Sequence, residues 1–568
     1  MSKEYGSRSE RRANEANQSL QGEENSQGDS NQQQVEEGLE PGLETAEHDS
    51  IESTETSESN ETTESNETLE SNEFDRDEAN FPKRLSRVEQ AEVVEKFKGN
   101  SFPSYFFLGA VGILVSLTFY SFPFINNYAT PLQSQYLYSG FAMNHGLVPY
   151  NDFFGNAGSL FYLINQLGNI TGNSLILYLI QLVALIASGM IMYRLVIQQT
   201  MNASAATVVG SFAMITAAGL ARGGASPTLL ALPFVLWAVK FLDRYFRDDN
   251  RDEKFIVFGI FAAIVFVISP IMSAFFLVSF IALLIYNISH LHLGRGFYQL
   301  LAAAFGLLLV GYSIAYYALN EQTIYTSIEQ SVLIPLTHYG MTGNGLLTVA
   351  KASVFLLIFG IVTSFFHGLI QIKEASSATI WYILLLIGVV FISLMVIVVP
   401  NFDSSNLLAA FPFIMVFQGP SLARAIDGKN NMLLTYLQNK LFAPLLAIVF
   451  VFGAPFAYAY MNHTTFTAEK AVVQYVKENT TSKDHVYVLA ADKNINLLSK
   501  RTATIDNVPE YYPNKFKQSY DVNVANIKDK LIIVEAGQSV PESLAKTIKA
   551  SYQPIGTGNG QFTIYEKK

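Results

Sequence analysis

The sequence is notable first for what it has little of. The 568-residue chain contains no cysteine, which excludes a disulfide framework, a thiolate metal site and a cysteine nucleophile. Only 15% of its residues are charged while 50% are hydrophobic, a balance that is unusual for a soluble enzyme. Its eight histidines show no HExxH spacing, and neither GxxxxGK[ST] nor a strand-associated GxGxxG occurs. These absences argue against soluble, nucleotide-driven chemistry.

The charges of the chain are separated along its length. Residues 1–80 carry 23 acidic and 5 basic side chains, whereas the remaining residues have a net charge of +7. A glutamate falls at every third position from Glu52 to Glu73, a period that suits neither a helix nor a strand. We therefore expect a disordered, acidic, cytosolic tail over residues 1–82, which is either an interaction tail or a spacer without a ligand. Residues 83–101 predict a basic juxtamembrane helix on an anionic membrane face.

Apolar runs dominate the chain from residue 104 onward, and they predict an α-helical polytopic membrane protein. The stretch 255–287 is unbroken in hydrophobicity, but a single straight helix of that length would measure about 50 Å. Because a bilayer core is about 30 Å thick, we expect two helices that break at Ser269–Pro270. About eleven membrane-spanning helices result, near residues 104–124, 173–194, 203–220, 226–242, 255–269, 271–287, 297–319, 349–370, 378–400, 405–421 and 441–461.

The distribution of lysine and arginine predicts the orientation of these spans. Cations concentrate in alternate loops, whereas the long segments 126–172 and 320–348 contain neither lysine nor arginine. By the positive-inside rule, the N-terminus of the multi-span domain, 102–462, is cytosolic and those two segments are outside. An odd number of spans then places residues 463–568 outside the cell membrane, where their pattern predicts a small α/β domain. Its helices are expected at 463–480, 495–500 and 541–552, and its strands at 484–491, 530–537 and 560–567.

The large first outer loop, residues 126–172, is the most informative segment. It predicts a helix from Leu132 to Met143, then the turn-forming string HGLVPYNDFFGNAGS, then a second helix from Leu160. A long outer loop with its own helices is typical of a functional segment. Asp152 is the single acidic residue of this loop.

At this string the sequence resembles polytopic glycosyltransferases of the GT-C superfamily, of the type that uses polyprenyl-phosphate sugars. The family writes the loop roughly as G-x-P-Y-x-D-F-F-x-x-x-G-P-L-x-Y, and the matching residues are Gly146, Pro149, Tyr150, Asp152, Phe153, Phe154, Gly158, Leu160 and Tyr162. The chain departs from the family twice. Gln133-Ser134-Gln135 lies where family members commonly carry an Asp-Glu pair, and Ser405-Asn406 lies where they carry His-Tyr.

The chemistry that the resemblance implies needs a carboxylate to take a proton from the acceptor and cations to hold the departing phosphate. Asp152 is the candidate base, and its alternative role is to close a turn and cap the next helix. Tyr150 and Asn151 belong to the same motif and are candidate substrate-binding residues. Arg222, in LARGGASP, is the candidate phosphate ligand, with an arginine that merely snorkels to the interface as the alternative.

Three further features complete the candidate site. Lys351, at the outer end of a predicted span, is a second candidate cation or another snorkelling residue. His338 lies in the outer segment 320–348, which has the glycines of a mobile lid. No cofactor is indicated with certainty, and a divalent cation is compatible with the chemistry.

The leading hypothesis is an inverting membrane glycosyltransferase that moves a sugar from a polyprenyl-phosphate donor to an extracytoplasmic polymer, lipid or protein. The alternatives are a non-catalytic GT-C-like protein that binds lipid-linked glycan or a partner enzyme, and a transporter or flippase. The expected partners are a polyprenyl-phosphate-linked sugar and membrane lipids, with no nucleic acid; the oligomeric state is left open.

Overall fold

The computed structural model describes most of the chain from residue 102 to its end. The described residues are 102–247, 252–338, 340–341, 344–373, 378–400, 402–427, 429, 431–555 and 560–568. The described residues all belong to one compact unit, Val93–Lys568. The predicted tail, 1–82, and the predicted juxtamembrane helix, 83–101, lie outside the described residues.

Apolar helices form the larger part of the described chain. They are α1 (Phe102–Ser116), α2 (Pro131–Asn144), α3 (Ser159–Gly168), α4 (Leu175–Thr200), α5 (Ala203–Leu220), α6 (Pro227–Tyr245), α7 (Phe255–Ile268), α8 (Ala274–Ser289), α9 (Leu293–Asn320), α10 (Ile324–Ile328), α11 (Ile334–Thr337), α12 (Gly345–Ile358), α13 (Ile361–Ile372), α14 (Thr379–Val398), α15 (Phe411–Met415), α16 (Gln418–Ile426), α17 (Met432–Asn439) and α18 (Ala443–Met461). Short 3-10 turns precede α8 and α15, at Pro270–Ser273 and Ser404–Ala410, and a π-helical turn, Glu329–Leu333, lies between α10 and α11.

Six of the described helices are long and apolar enough to cross a membrane. The number of candidate spans is eight if each of two bent helix pairs is counted as one span. The six are α4, α5, α8 with its 3-10 turn, α9, α14 and α18. The bent pairs are α12 with α13, at 62°, and the Ser404–Met415 segment with α16, at 59°. The protein is therefore a membrane protein by fold, with six to eight candidate spans among its described residues.

The predicted count of eleven spans is not confirmed. Each predicted run contains a helix, but α1, α6 and α7 are not among the candidate spans. With 15 and 14 residues, α1 and α7 are about 22 Å long, shorter than a bilayer core. The predicted break within 255–287 is present, because α7 ends at Ile268 and Ser269 has an extended backbone with φ −144° and ψ 90°.

Helices α7 and α9 pack closely through glycines. A Cβ atom at Gly259 would overlap the backbone carbonyl of Ala303, and one at Gly306 would overlap the carbonyl oxygen of Ile256. Such close approach of backbones through small residues is a common way for helices to associate in membranes. The absence of a side chain at Gly259 is therefore a packing requirement.

Replacing Gly259 by alanine is expected to destabilise the protein by about 1–3 kcal/mol, because a backbone carbonyl cannot move aside as a side chain can. Gly311→Ala is the matched control, since the nearest atom to a Cβ there is Leu307 Cδ2 at 3.9 Å. The check is the unfolding temperature of each variant after purification in detergent. Equal unfolding temperatures for the two variants would contradict the close packing.

Residues 126–172, which the sequence predicts as the first outer loop, contain the two predicted helices, as α2 and α3. Gly140 of α2 lies against the backbone of Asn165 in α3, so the two helices are in close contact. The amide of Gly158, at the start of α3, donates to the carbonyl of Ile268 at 3.0 Å. The loop is thereby attached to the end of α7.

Residues 463–568 form a four-stranded sheet with helices on both faces. The helices are α19 (His463–Asn479), α20 (Asn494–Ser499), α21 (Asn514–Ala525) and α22 (Glu542–Ser551), and the strands are β1 (Val486–Leu489), β2 (Leu531–Glu535), β3 (Tyr552–Ile555) and β4 (Phe562–Lys567). The strand order is β1-β2-β4-β3, with β1 parallel to β2 and the other pairs antiparallel. A helix or strand of the expected type lies in each of the six predicted segments, whereas α21 and β3 were not predicted.

Because successive side chains point to opposite faces of each strand, the sheet has one hydrophobic core on each face. Val486 and Val488 face α19, whereas Tyr487 packs with Tyr520 and Val524 of α21. Successive strand residues point to opposite faces, so a sheet covered on both sides reads as a continuous apolar run. This explains why β1 and β2 were recognisable from sequence.

The α/β segment contacts the first outer loop through polar groups. Lys493 forms an ion pair with Asp506 at 2.5 Å, and both side chains are about nine-tenths buried. Asp506 also accepts a hydrogen bond from the amide of Phe154 at 3.0 Å, and the amide of Lys493 donates to Ser134 Oγ at 2.9 Å. The ion pair lies within the α/β segment, and its two residues join that segment to the loop through these two hydrogen bonds.

Candidate functional site

Arg222 lies in a tightly constrained turn after α5. Four consecutive residues have positive φ: Arg222 at 45°, Gly223 at 94°, Gly224 at 75° and Ala225 at 46°. Left-handed backbone is costly for residues with a Cβ atom and persists only where the surroundings hold it. Two hydrogen bonds do so here. The amide of Tyr120 donates to the Gly223 carbonyl at 2.6 Å, and Gln133 Nε2 donates to the Arg222 carbonyl at 2.8 Å.

This turn borders a small groove that opens to solvent. Residues of α5, of α18 and of the segments before α2 line it: Thr118, Tyr120, Thr130, Ala218, Gly219, Arg222, Gly223, Phe450, Val451, Ala454, Pro455 and Tyr458. Arg222 is the one charged residue among them, and it is exposed. Within the described part of the chain its guanidinium forms no ion pair, so its charge is available to an anion in the groove. We name this site the Arg222 groove.

The first turn of α2 joins three segments at this site. Gln133 binds the Arg222 carbonyl, Gln135 Nε2 donates to the carbonyl of Phe154 at 3.2 Å, and Ser134 Oγ accepts from Lys493. These three residues occupy the place where the resembled family commonly has an Asp-Glu pair. Here the same turn carries amides and a hydroxyl, and it connects the arginine turn, the motif string and the α/β segment.

The motif string folds into a compact turn in which Asp152 has a structural role. The Asp152 carboxylate accepts a hydrogen bond from the Val148 amide at 2.7 Å, and the Asp152 amide donates to the Val148 carbonyl at 2.9 Å. Asp152 is exposed and is not among the residues that line the Arg222 groove. This geometry is that of a turn-closing aspartate.

Tyr150 and Asn151 occupy opposite environments in the same turn. Tyr150 is buried, has a φ of 68°, and donates from its hydroxyl to the Ala157 carbonyl at 2.6 Å. Asn151 is exposed, and its Oδ1 accepts from Thr326 Oγ1 at 3.3 Å. Of the two, Asn151 is the one with access to a ligand from solvent.

The outer segment that follows α9 is attached to this turn. Buried Gln330 donates to the Tyr150 carbonyl at 2.8 Å and accepts from the Gly155 amide at 3.1 Å. Glu329 forms an ion pair with Lys515 of α21 at 2.5 Å. The segment therefore contacts both the loop and the α/β segment.

Lys351 and His338 do not line the Arg222 groove. Lys351 is exposed on α12. His338 follows α11, and its Nδ1 lies 2.9 Å from Thr337 Oγ1. Arg222 is thus the single predicted site residue that the structure places at the groove.

The α/β segment contains a carboxyl pair that the sequence did not predict, Glu469 and Asp492. Asn494 Nδ2 lies 3.3 Å from Glu469 Oε2, 3.1 Å from Asp492 Oδ2 and 3.4 Å from the carbonyl oxygen of Ala129. Burial and the neighbouring Asp492 raise the pKa of Glu469 to about 9. A usable sequence signal existed for Asp492, which follows strand β1, since polar residues after parallel strands often form sites.

No cluster of three or more histidine, aspartate or glutamate side chains suited to a metal ion occurs in the described ranges.

No curated protein sequence matches this chain. Among solved structures, ArnT from Cupriavidus metallidurans in the apo state is similar, with 9% identity and a TM-score of 0.54, covering 77% of this chain and 93% of that one. ArnT from the same organism bound to undecaprenyl phosphate is similar at 11% identity and a TM-score of 0.52, covering 81% and 97%. These likenesses show that the chain has a fold similar to that of ArnT.

Two family models cover nearly all of the described residues. One, the "Putative competence-induced protein Ccs4 N-terminal domain", matches residues 96–463, and the other, the corresponding C-terminal domain, matches residues 467–568. The chain belongs to the competence-induced Ccs4 family.

Proposed function

We propose that this protein is a membrane glycosyltransferase that uses a polyprenyl-phosphate-linked sugar as donor and transfers the sugar to an acceptor outside the cell membrane. The observation that carries the proposal is the Arg222 groove, in which an exposed arginine lies in a rigid turn. The fold similarity to ArnT, a GT-C glycosyltransferase that is known bound to undecaprenyl phosphate, supports the same class of ligand.

Arg222 is suited to a phosphate for two physical reasons. A guanidinium offers several N–H donors in one plane, which match phosphate oxygens better than a single ammonium does. The turn is also held by Tyr120 and Gln133 on its two sides, so little conformational entropy is lost when an anion binds. In the proposed reaction Arg222 contacts the donor phosphate and balances its charge as it departs.

Asp152 enters the proposal as the base that the loop motif indicates. It is exposed, but its carboxylate is engaged with the Val148 amide. Lys351 and His338 have no place in the Arg222 groove, and the proposal does not use them. The base is therefore the part of the mechanism that needs a separate experiment.

A non-catalytic protein that binds lipid-linked glycan is the second candidate. The observation that favours it is the first turn of α2, where Gln133, Ser134 and Gln135 replace the carboxylates of the resembled family. Such a protein would bind the polyprenyl phosphate and leave the sugar in place. The two candidates thus differ in turnover and agree in binding.

Replacing Arg222 by alanine is expected to weaken binding of undecaprenyl phosphate by about tenfold or more, since a hydrogen bond to a charged group contributes about 1.5–3 kcal/mol. The affinity of the Arg222→Lys variant should lie between those of the unsubstituted protein and the Arg222→Ala variant, because lysine keeps the charge and loses the planar donors. Binding is measured by native mass spectrometry of the purified full-length protein with undecaprenyl phosphate.

The control for that experiment is Lys477→Ala, which removes an exposed cation from the last turn of α19. Its affinity should equal that of the unsubstituted protein. Equal binding by the Arg222→Ala variant would reject Arg222 as the phosphate ligand. Absence of any binding by the unsubstituted protein would reject the proposed function in both of its forms.

A further inference from the structure

The first turn of α2 presents hydrogen-bond donors to which no described residue offers an acceptor. Thr130, the residue before the helix, does not cap it with its side chain, and Pro131 has no amide hydrogen. The amides of Leu132 and Gln133 donate to no acceptor within the described ranges, whereas the Ser134 amide donates to the Thr130 carbonyl at 2.8 Å. The helix therefore begins with two N–H groups that lack the usual capping oxygen.

The Thr130 hydroxyl is a separate observation that points to a ligand. Thr130 is only 7% exposed and lines the Arg222 groove, yet its hydroxyl forms no hydrogen bond with any described residue. Thr118 lines the same groove, but its hydroxyl is paired, because it donates to the Val115 carbonyl at 2.8 Å. Since buried polar groups are normally paired, the Thr130 hydroxyl indicates a partner that a ligand supplies.

The same turn of α2 contacts the arginine turn directly. Gln133 Nε2 donates to the Arg222 carbonyl at 2.8 Å and to the Ala221 carbonyl at 3.4 Å. Thr130 and Arg222 also line one groove. The start of α2 and the arginine turn are therefore joined into one border of this groove.

The charges at this border favour an anion. The first turn of α2 has no acidic residue, and Arg222 is the one charged residue among the described residues that line the groove. The carboxylate of Asp492 does not line the groove, and its two oxygens accept from the amide and from Nδ2 of Asn494, both at 3.1 Å. A helix N-terminus carries about half a positive charge, which adds to that of the guanidinium.

The other walls of the groove decide which kind of phosphate fits. They come from α5 and α18 and are mostly small or apolar, including Ala218, Gly219, Phe450, Val451, Ala454 and Pro455. Such walls contact a hydrocarbon chain favourably, whereas they offer no donor side chain to a free phosphate ion. A phosphate that is attached to a lipid uses both parts of the groove.

We propose that the N-terminus of α2 is a second phosphate contact in the Arg222 groove, where Thr130 Oγ1 and the amides of Leu132 and Gln133 donate hydrogen bonds to the phosphate of a polyprenyl phosphate. This inference rests on the proposed function. Arg222 supplies the positive charge, and the start of α2 supplies neutral donors in fixed directions. Together they bind the phosphate in one orientation.

The first test replaces Thr130 by valine in the full-length protein, which removes the hydroxyl and keeps the shape of the side chain. The affinity for undecaprenyl phosphate, measured by native mass spectrometry, should fall by about tenfold, because a hydrogen bond to a charged group is lost. The unfolding temperature should change little, since this hydroxyl does not cap the helix. The Thr130→Ser variant keeps the hydroxyl and should bind as the unsubstituted protein does. Undecaprenol, which has no phosphate, should bind equally to all three proteins.

The second test places a negative charge at the start of α2. Pro131 is exposed at the first position of the helix, where an aspartate normally stabilises a helix through its dipole. The Pro131→Asp variant should therefore unfold at a temperature equal to or above that of the matched Pro131→Asn variant. It should nevertheless bind undecaprenyl phosphate about three- to tenfold more weakly than Pro131→Asn, because the carboxylate repels the phosphate and competes for the amides. A purely structural role for this turn would not give weaker binding without lower stability.

The outcomes separate this inference from the proposed function. Weak binding by Arg222→Ala, together with unaltered binding by Thr130→Val and Pro131→Asp, would overturn the inference and leave the lipid-phosphate site in place. Displacement of undecaprenyl phosphate by an equal concentration of inorganic phosphate would show that the groove takes free phosphate, which would overturn the inference. Failure of the unsubstituted protein to bind undecaprenyl phosphate would overturn the inference and the proposed function together.

Discussion

Replacing Lys493 by alanine is expected to destabilise the protein by about 3–5 kcal/mol, the usual cost of leaving one partner of a buried ion pair without its counter-charge. Lys493 and Asp506 lie 2.5 Å apart, with side chains 11% and 9% exposed. Asp506 also accepts from the Phe154 amide, so its charge is needed at the contact between the α/β segment and the first outer loop. The measurement is the unfolding temperature of the purified protein, together with the rate of proteolysis at this contact.

The matched control is Lys546→Ala, which breaks the ion pair with Glu542 on α22. That pair is 2.8 Å long, but its side chains are 74% and 84% exposed, so water replaces the lost interaction. The unfolding temperature of the Lys546→Ala variant should equal that of the unsubstituted protein. A variant in which both Lys493 and Asp506 are replaced by uncharged residues should recover much of the loss, because no buried charge then remains unpaired. An equal effect of Lys493→Ala and Lys546→Ala would contradict a buried contact.

Replacing Gly223 by alanine is expected to lower the affinity for undecaprenyl phosphate by about tenfold or more while leaving the charge of Arg222 intact. Gly223 has a φ of 94°, a conformation that alanine adopts only with strain. A Cβ atom there would also overlap the ring of Tyr120, whose amide holds the turn. The turn must then shift, and the Arg222 guanidinium moves with it.

The variant Gly537→Ala separates the effect of backbone strain from the effect of the overlap with the Tyr120 ring. Gly537 has a similar φ of 88°, but no atom lies within 4 Å of the position of its Cβ. It should show the cost of backbone strain in its unfolding temperature and no change in binding. The contrast is measured with the same binding assay as for Arg222→Ala. Unaltered binding by Gly223→Ala would mean that the geometry of the turn does not matter for the phosphate.

Local patterns were sufficient to predict much of the architecture. The break at Ser269–Pro270 follows from proline chemistry and from the length limit of a membrane span, and both act within a few residues. The strands β1 and β2 are continuous apolar runs, and α2 and α3 follow from apolar periodicity on either side of a glycine-rich turn. The number of spans is less accessible, because α1 and α7 are apolar but short.

The candidate site shows the limit of such patterns. Arg222 was recognisable because cations are scarce in the predicted outer loops and because two glycines follow it. Asp152 was selected for its motif, yet the structure places its carboxylate against the Val148 amide of the same turn. Neither Glu469 nor Asp492 was selected, because each lies in a segment that reads as an ordinary helix or turn.

The sequence by itself indicated a membrane protein with apolar helices, a long loop at residues 126–172 and a C-terminal α/β segment. The hydrophobic effect acts on local composition and periodicity, which can be read in one stretch of chain at a time. Only the tertiary structure decided which polar groups meet: Gln133 with the Arg222 carbonyl, and Asn494 with the Ala129 carbonyl. Those contacts join residues that are 89 and 365 positions apart, and their hydrogen bonds depend on distances that no local pattern encodes.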